Sequence, residues 1–283
     1  METLYQAIIK NKKYQAITRT VIERAIHRYF IRHPNQKISL EKQKSEKFKA
    51  IVRAIRGELH HIHGAFQTTR KHEREICLQA LKKLLHEKTS SRERFLELHK
   101  QMLVTSRSTN ERLAMYPALY AELFQRIGKP KTILDLGCGL NPVSYPFMGL
   151  EDVTYFCCDV DEQDIHFLQA YFACIPALHG TATVLDLSQI NAVKKLPQAD
   201  VAFLFKVLDP LERGKKGHRL AEAIITAVPA RHIIASFSTQ TISGKQMNHP
   251  YRGWMERMLT RLQFSFTAFA TENEFFYIIR KIW

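Results

Sequence analysis

The fold is decided by the stretch Thr132-Ile133-Leu134-Asp135-Leu136-Gly137-Cys138-Gly139-Leu140-Asn141-Pro142. A short apolar run ends at an acid and leads into two glycines. This pattern is typical of a buried parallel strand that stops at a ligand, because glycines let the backbone turn sharply and approach a bound molecule without a Cβ. We therefore predict a ligand site at Asp135, Gly137 and Gly139, at the edge where open α/β sheets bind their ligands.

Strand and helix signals alternate after this stretch. The segments between the first five predicted strands are long enough for crossover helices, and the last two strands are close together. The predicted strands are residues 131–136, 153–159, 181–186, 199–205, 231–237, 263–270 and 274–281. The pattern predicts an α/β, Rossmann-like fold with a seven-stranded, mostly parallel sheet.

The first hundred residues have a different pattern. Apolar residues recur at helical spacing throughout residues 1–105, which predicts a small helical bundle. We therefore expect two domains, 1–105 and 106–283. In the second domain, STNER at residues 108–112 has the form of a capping box, and it predicts a helix that continues to about residue 126.

The charge is unevenly distributed along the chain. The whole chain has 42 Lys+Arg against 27 Asp+Glu, a formal charge of +15, and residues 1–105 alone carry a surplus of +13. One charged helix face is usually only a solvated face, but a surplus over a whole domain predicts a platform for a phosphate backbone. The candidate RNA contacts are Lys10, Lys12, Lys13, Arg19, Arg24, Arg28, Arg32, Arg53, Arg56, Arg70 and Lys71.

A second basic cluster lies in a glycine-containing loop and consists of Arg213, Lys215, Lys216 and Arg219. We expect Arg213 and Lys216 to belong to a flap that contacts RNA, although an ordinary surface loop is the alternative. Further on, Tyr251 and Trp254 could stack on an extruded base, but aromatic residues at this helical spacing are more often part of a core.

Cysteine usage and hydropathy indicate the compartment. Five cysteines without regular spacing argue against a disulfide framework and favour a reducing cytoplasm. No signal peptide and no run of 18 apolar residues is visible, so we expect no membrane span. His60-His61-Ile62-His63 lacks a further ligand pair, so we predict no metal site.

Two further acids indicate the type of cofactor. Asp159 lies 22 residues after Gly137, a spacing suited to ribose hydroxyls, and Asp186-Leu187 follows the third predicted strand, where an acid can meet an adenine amino group. A dinucleotide loop would have a third glycine where Pro142 stands. The pattern favours an amino-acid-bearing cofactor, S-adenosylmethionine, and a class I methyltransferase fold.

The remaining sequence narrows the methyl acceptor. No cysteine follows Cys174, which argues against cytosine-C5 transfer, and the loop at residues 203–211 lacks the aromatic expected for exocyclic-amine transfer. A ring nitrogen such as guanine N7 carries no proton, so its alkylation needs positioning and not a strong base.

Four segments in this order resemble one known family. They are STNER at 108–112, LDLGCGLNP at 134–142, KVLDPLE at 206–212 with Lys216-Gly217, and SFSTQTISGK at 236–245. Together with the basic helical region, they make nearly the whole chain similar to the aminoglycoside-resistance 16S rRNA guanine-N7 methyltransferases, the Arm/Rmt group. That family often has proline where Ser238 stands and arginine where Lys245 stands.

The resemblance implies methyl transfer to guanine 1405 in the decoding site of 16S rRNA in the assembled 30S subunit. It also implies resistance to 4,6-disubstituted deoxystreptamine aminoglycosides. The implied cofactor residues are Arg112 for the carboxylate, the Gly137 loop for the methionine part, Asp159 for the ribose, and Asp186 with Leu187 for the adenine. Lys206 and Lys245 lie in segments that would face the guanine, and we expect them to position the target.

Two other functions stay open. A small-molecule methyltransferase would share the sheet, but it has no use for a basic domain. A non-catalytic RNA-binding or ribosome-binding protein with a retained cofactor fold would keep that domain, but it should show erosion of the glycine loop or its acids. We expect a monomer.

Overall fold

The computed structural model describes residues 2–36, 45–60, 70–87, 91–212, 217–240, 245–247 and 250–281. The chain divides into two compact units. The helical unit consists of Met1–Gln67 with Val160–Gln163, and the sheet unit consists of Thr68–Asp159 with Asp164–Trp283. No helix among the described residues is both long enough and apolar enough to cross a membrane.

The helical unit contains three described α-helices, α1 (Glu2–Ile9), α2 (Arg19–Arg32) and α3 (Glu46–Leu59), and a short 3₁₀ helix at Lys12–Tyr14. Helix α3 begins where the Ser45 side chain accepts a hydrogen bond from the Phe48 N–H, and its apolar residues recur on one buried face. Residues 160–163 belong to this unit because the Val160 carbonyl accepts from the Thr18 N–H at 3.1 Å and the Glu162 N–H donates to the Ala16 carbonyl at 2.8 Å.

The sheet unit contains the remaining elements. A 3₁₀ helix at Asn141–Phe147 follows the glycine turn. The α-helices are α4 (Lys71–His86), α5 (Arg92–Leu103), α6 (Arg107–Arg112), α7 (Tyr116–Ile127), α8 (Glu162–Phe172, whose first two residues belong to the helical unit), α9 (Ile190–Val193), α10 (Leu208–Glu212), α11 (Arg219–Ala227) and α12 (Gly253–Arg261). Its strands are β1 (Thr132–Leu136), β2 (Val153–Asp159), β3 (Leu178–Val184), β4 (Ala199–Phe205), β5 (Ala230–Ser238), β6 (Ser265–Ala270) and β7 (Glu274–Arg280).

The seven strands form one sheet in the order β3-β2-β1-β4-β5-β7-β6. Strands β1 to β5 are parallel, and β7 is antiparallel to both β5 and β6. This confirms the predicted class I methyltransferase sheet. The first strand lies inside the sheet, between β2 and β4, where a continuous apolar run is buried on both faces. The third strand ends at Val184, two residues before Asp186, which the prediction had placed at its end.

Helices α4 and α5 belong to the sheet unit, so the compact units divide after residue 67 and not after residue 105 as predicted. Their apolar faces pack into the same core as α7, α8 and the strands. Two buried polar contacts join them to α8: His99 Nε2 lies 3.0 Å from the Tyr171 hydroxyl, and Arg74 Nη2 donates to Asp164 Oδ1 at 2.6 Å. A helical pattern in sequence does not reveal which core a helix packs against.

The predicted capping box at residues 108–112 is wrong. Ser108 lies inside α6, whose N-cap is Ser106, and the chain begins a new helix, α7, with Pro117 in its first turn. Proline lacks an N–H and favours the start of a helix, which accounts for the break. Glu111 instead accepts hydrogen bonds from the side chains of Arg107 and Lys206.

Candidate functional site

The turn after β1 requires both glycines. Gly137 and Gly139 have φ values of +69° and +49°, in the region that L side chains rarely adopt. The N–H groups of Gly137 and Cys138 both donate to the Cys158 carbonyl, at 2.8 and 3.0 Å. A Cβ on Gly137 would lie 2.6 Å from Val207 Cγ2. The turn is therefore tightly packed against the residue that follows Lys206.

Asp135 is the buried acid of this turn. Its Oδ2 accepts hydrogen bonds from Asn141 Nδ2 at 2.8 Å and from the Tyr155 hydroxyl at 2.7 Å. Its Oδ1 is buried and has no hydrogen-bond partner among the described residues. Burial raises the pKa of Asp135 to about 7. A buried oxygen without a donor at the carboxyl end of a strand is suited to accept from a ligand N–H group, such as an ammonium.

Two other predicted cofactor residues, Asp159 and Leu187, lie at the same turn. The Gly139 N–H donates to Asp159 Oδ2 at 2.9 Å. Leu187 is buried, and its Cδ1 lies 3.9 Å from the position of a Cβ on Gly137. Asp186 is half-buried, and its Oδ1 accepts from the backbone N–H of residue 188 at 2.8 Å. Five predicted residues thus lie around the end of β1: Asp135, Gly137, Gly139, Asp159 and Leu187.

Arg112 is buried, and its guanidinium forms a bidentate pair with Glu274. Its Nε lies 2.6 Å from Oε2 and its Nη2 lies 2.9 Å from Oε1. Burial acts to lower the pKa of Arg112, but the Glu274 carboxylate outweighs it and raises the pKa above its ordinary value. The guanidinium also lies over the Phe205 ring, 4.9 Å from its centroid. Arg112 therefore stays charged inside the protein.

Lys206 points into the protein. It directly follows β4 with a φ of +57°, and its side chain is only 6% exposed. Its Nζ lies 2.7 Å from Glu111 Oε2 and 3.4 Å from Glu274 Oε2. The structure therefore places Lys206 beside Arg112, and its role in target positioning stays a prediction.

Lys245, the other residue expected to position the target, is exposed. The residues before it, 241–244, lie outside the described part of the chain, as do the predicted RNA contacts Arg213 and Lys216. The Ser236 hydroxyl, at the start of the same motif, is fully buried and donates to Glu274 Oε1 at 2.5 Å.

The two aromatic candidates for base stacking differ in exposure. Tyr251 is 63% exposed, with its ring edge against Phe275. Trp254 stacks on His218 with the ring centroids 3.9 Å apart, and it packs against a core cluster. Trp254 thus fits the core alternative, whereas Tyr251 is accessible.

The basic residues predicted to bind RNA separate into two groups. Lys10, Lys12 and Lys13 are exposed, and no ion pair joins them to the described residues. The others make contacts within the protein. Arg19 pairs with Glu2 and Glu23, and Arg70 pairs with Glu73.

Three further basic candidates have contacts of their own. Arg56 is half-buried and donates to the carbonyls of Ala7 and Ile8 at the end of α1, so it caps that helix. Lys71 pairs with Asp164 at 2.9 Å. Arg53 is exposed and lies 3.7 Å from Glu46. Contact with RNA stays a prediction for the whole set.

Sequence reasoning missed four polar residues of the site. Glu274, Asn141, Tyr116 and Tyr155 are buried, and the Tyr116 hydroxyl donates to Asn141 Oδ1 at 3.0 Å. Glu274 had one visible signal, since it is the only acid in β7 and stands before a continuous apolar run. The tyrosines were indistinguishable from core aromatics.

Comparison with known proteins extends this description. The chain is 27% identical over 284 residues to the 16S rRNA (guanine(1405)-N(7))-methyltransferase of Micromonospora rosea, covering 99% of this chain and 97% of that protein. It is similar to the structure of the 16S rRNA methylase RmtB, with a TM-score of 0.71, 25% identity and coverage of 99% and 97%.

The fold is also similar to the crystal structure of the 16S rRNA methyltransferase RmtF in complex with S-adenosyl-L-homocysteine. The TM-score is 0.75 at 23% identity, covering 99% of this chain and 98% of that one. A family model described as ribosomal RNA methyltransferase (FmrO) matches residues 19–278. The glycine turn with its acids and the full-length match agree, and the chain belongs to the FmrO family of ribosomal RNA methyltransferases.

Proposed function

We propose that this protein transfers a methyl group from S-adenosylmethionine to N7 of guanine 1405 in 16S rRNA of the assembled 30S subunit. The observation that carries the proposal is the similarity to the Micromonospora rosea enzyme of that name over 99% of this chain. The match covers both the helical and the sheet unit, so it includes the region that would recognise RNA. The proposed site of action is the cytoplasm, and the proposed state is a monomer.

The residues at the glycine turn fit this cofactor. Asp135 offers a buried acceptor without a donor, which suits the ammonium of the methionine part. Arg112 is a buried cation for the carboxylate, and Asp159 beside Gly139 is suited to ribose hydroxyls. Leu187 offers an apolar contact for the adenine ring. When bound, S-adenosylmethionine supplies an electrophilic methyl group on a sulfonium centre.

Methyl transfer to guanine N7 requires the protein to position the base but not to remove a proton from it. Guanine N7 carries an in-plane lone pair and no proton, so the side chains need to orient the base and exclude water. The segments after β4 and β5 are suited to this task because Arg252 joins them: its guanidinium binds Asp209 at 2.7 Å and the Ser238 carbonyl at 3.3 Å. Both segments follow parallel strands that end at the same sheet edge as β1.

A direct assay tests the proposal. The protein is incubated with labelled S-adenosylmethionine and with 30S subunits, naked 16S rRNA or small amines. We expect label in the 30S subunits, and borohydride reduction with aniline cleavage should break the rRNA at guanine 1405. Label that enters only small amines would overturn the proposal, and cofactor binding without transfer to any substrate would favour a non-catalytic binding protein.

A resistance assay gives a second test. Expression of the protein in a susceptible bacterium should raise the inhibitory concentration of 4,6-disubstituted deoxystreptamines. The matched control is Asp159→Ala, which removes the proposed ribose contact while leaving the exposed basic residues unchanged. Equal resistance with both proteins would contradict the proposed role of Asp159, and resistance without a methyl group on guanine 1405 would show that methyl transfer is not the cause.

A further inference from the structure

Glu274 is a fully buried carboxylate with donors from three separate segments. Arg112 at the end of α6 donates twice, Ser236 in β5 donates once, and the Lys206 ammonium after β4 lies 3.4 Å away. Each donor lies in a different one of the sequence motifs at residues 108–112, 206–212 and 236–245. One acid in β7 therefore connects three motifs that are far apart in sequence.

The charges around Glu274 are balanced. The Glu274 cluster consists of Glu111, Arg112, Lys206, Ser236 and Glu274, so it holds two carboxylates and two cations. The exposed Arg107 pairs with Glu111 from outside the cluster. Burying a charge is costly unless it is paired and hydrogen-bonded, and removing one partner leaves the others uncompensated. Loss of Glu274 would therefore leave Arg112 without its carboxylate partner and Lys206 with Glu111 as its nearest one.

The backbone at Lys206 also depends on this cluster. A φ of +57° is unfavourable for lysine and persists only when its surroundings hold it. The Lys206 N–H donates to both the carbonyl and the hydroxyl of Ser236, each at 3.1 Å, and that hydroxyl donates onward to Glu274. The start of the loop after β4 is thus anchored through Ser236.

We propose that Glu274 is a positioning residue for methyl transfer: it orients Arg112 toward the cofactor carboxylate and anchors Lys206 and the loop after β4. The proposal rests on the proposed role of Arg112. The pair with Glu274 occupies Nε and one N–H of Nη2, and a guanidinium has five N–H donors in a planar fork. The Tyr116 hydroxyl also hydrogen-bonds to the guanidinium, and we assign the N–H donors that remain to the cofactor carboxylate.

Glu274→Gln tests this role because it keeps the shape and removes the charge. We expect cofactor Kd to rise about tenfold, the size of one lost charge-assisted hydrogen bond. We also expect kcat to fall while KM for 30S subunits stays unchanged, since the exposed basic residues are untouched. Glu274→Asp restores the charge and should recover part of the cofactor affinity.

The control is Glu222→Gln, which breaks a bidentate pair with Arg261 elsewhere in the sheet unit. It should change neither Kd nor kcat. Circular dichroism confirms folding, and Ser236→Ala serves as the milder variant if Glu274→Gln does not fold: it should lower kcat, and an unchanged kcat would contradict the proposal.

Unchanged or tighter cofactor binding in folded Glu274→Gln would overturn the proposal, because Glu274 would then be a bystander or a competitor for Arg112. Arg112→Ala separates this failure from failure of the proposed function. If Arg112→Ala weakens cofactor binding and Glu274→Gln does not, only the positioning role is wrong. If neither variant weakens binding, the assignment of Arg112 to the cofactor is wrong.

Discussion

The charged side chains of the helical unit and those of the Glu274 cluster differ in their exposure to water. In the helical unit, Lys10, Lys12 and Lys13 are exposed, and ion pairs such as Arg19 with Glu2 lie on the surface. In the Glu274 cluster, Arg112 and Glu274 are at most 1% exposed and are held by short bidentate hydrogen bonds.

This contrast shows what a charge count can reveal. The surplus of +13 over residues 1–105 indicates a surface suited to a polyanion, and it does so without identifying individual contacts. The Glu274 cluster has no net charge and is invisible to such a count. Its residues are individually important because burial makes each one depend on its partner.

We expect the largest loss of cofactor affinity from a substitution in the glycine turn. Gly137→Ala forces a Cβ to within 2.6 Å of Val207 Cγ2 at a φ of +69°, so the turn must move. We expect cofactor affinity to fall at least about a hundredfold, measured by calorimetry, because backbone and strand end shift together. The matched control is Gly57→Ala in α3, where nothing lies within 4 Å. It should be neutral or stabilise by up to about 1 kcal/mol.

Arg112→Ala and Arg28→Ala together compare the stability lost with a buried ion pair and with a partly exposed one. Loss of Arg112 leaves Glu274 buried without its main partner, so the free energy of unfolding should fall by about 3–5 kcal/mol. Arg28→Ala removes the partly exposed pair with Glu58 and should cost no more than about 1 kcal/mol. Urea denaturation of both variants measures the difference. Equal costs would show that burial does not distinguish the two regions.

Two buried titratable groups, Asp135 and His99, should make the stability of the protein depend on pH in opposite directions. Burial raises the folded-state pKa of Asp135 from 3.8 to about 7. The contribution of Asp135 to the free energy of unfolding is therefore fully present below pH 4 and is lost as the pH rises through about 7. His99 acts in the opposite sense, because burial lowers its pKa to about 4. Its contribution is present above the unfolded pKa of about 6.5 and is lost as the pH falls toward 4.

Asp135→Asn isolates the aspartate contribution. The difference in unfolding free energy between the variant and the wild type should change by a few kcal/mol between pH 4 and pH 7 and then stay constant. The signal is a relative stabilisation of the variant as the pH rises. A difference that does not vary with pH would contradict a raised pKa at Asp135.

We expect substitution of the exposed lysines to have the smallest effect on the cofactor site. Reversing Lys10, Lys12 and Lys13 to glutamate should weaken 30S binding by about tenfold or more and should reduce its salt dependence. Cofactor Kd should not change. The control reverses Lys194 and Lys195, which are exposed in the sheet unit. Equal loss of 30S binding in both variants would show that total charge, and not its location, determines affinity.

Much of the fold could be predicted from local pattern. The strand bounds at 153–159 and 199–205 were predicted without error, because a buried parallel strand appears as a continuous apolar run between polar or helical segments. The compact units place α4 and α5 with the sheet, since periodicity shows that a helix has an apolar face but not what covers that face. Ser108 was misassigned as an N-cap because α6 begins before it, with Ser106 as the N-cap.

The candidate site was predictable to the extent that it follows strand ends. Asp135, Gly137, Gly139 and Asp159 converge because parallel strands bring their carboxyl ends to one edge. The partner of Arg112 was not predictable, since Glu274 lies 162 residues away in an antiparallel strand.

The sequence by itself determined the sheet, the glycine turn and the uneven distribution of charge, because each depends on residues that are near one another in the chain. Only the tertiary structure decided which core α4 and α5 join and which basic side chains are exposed. It also decided that Lys206, Ser236 and Arg112 share one carboxylate. Which buried charges pair depends on which elements pack together, and these elements can be far apart in the sequence. Once they are packed, an unpaired charge would be costly because it has lost its contact with water.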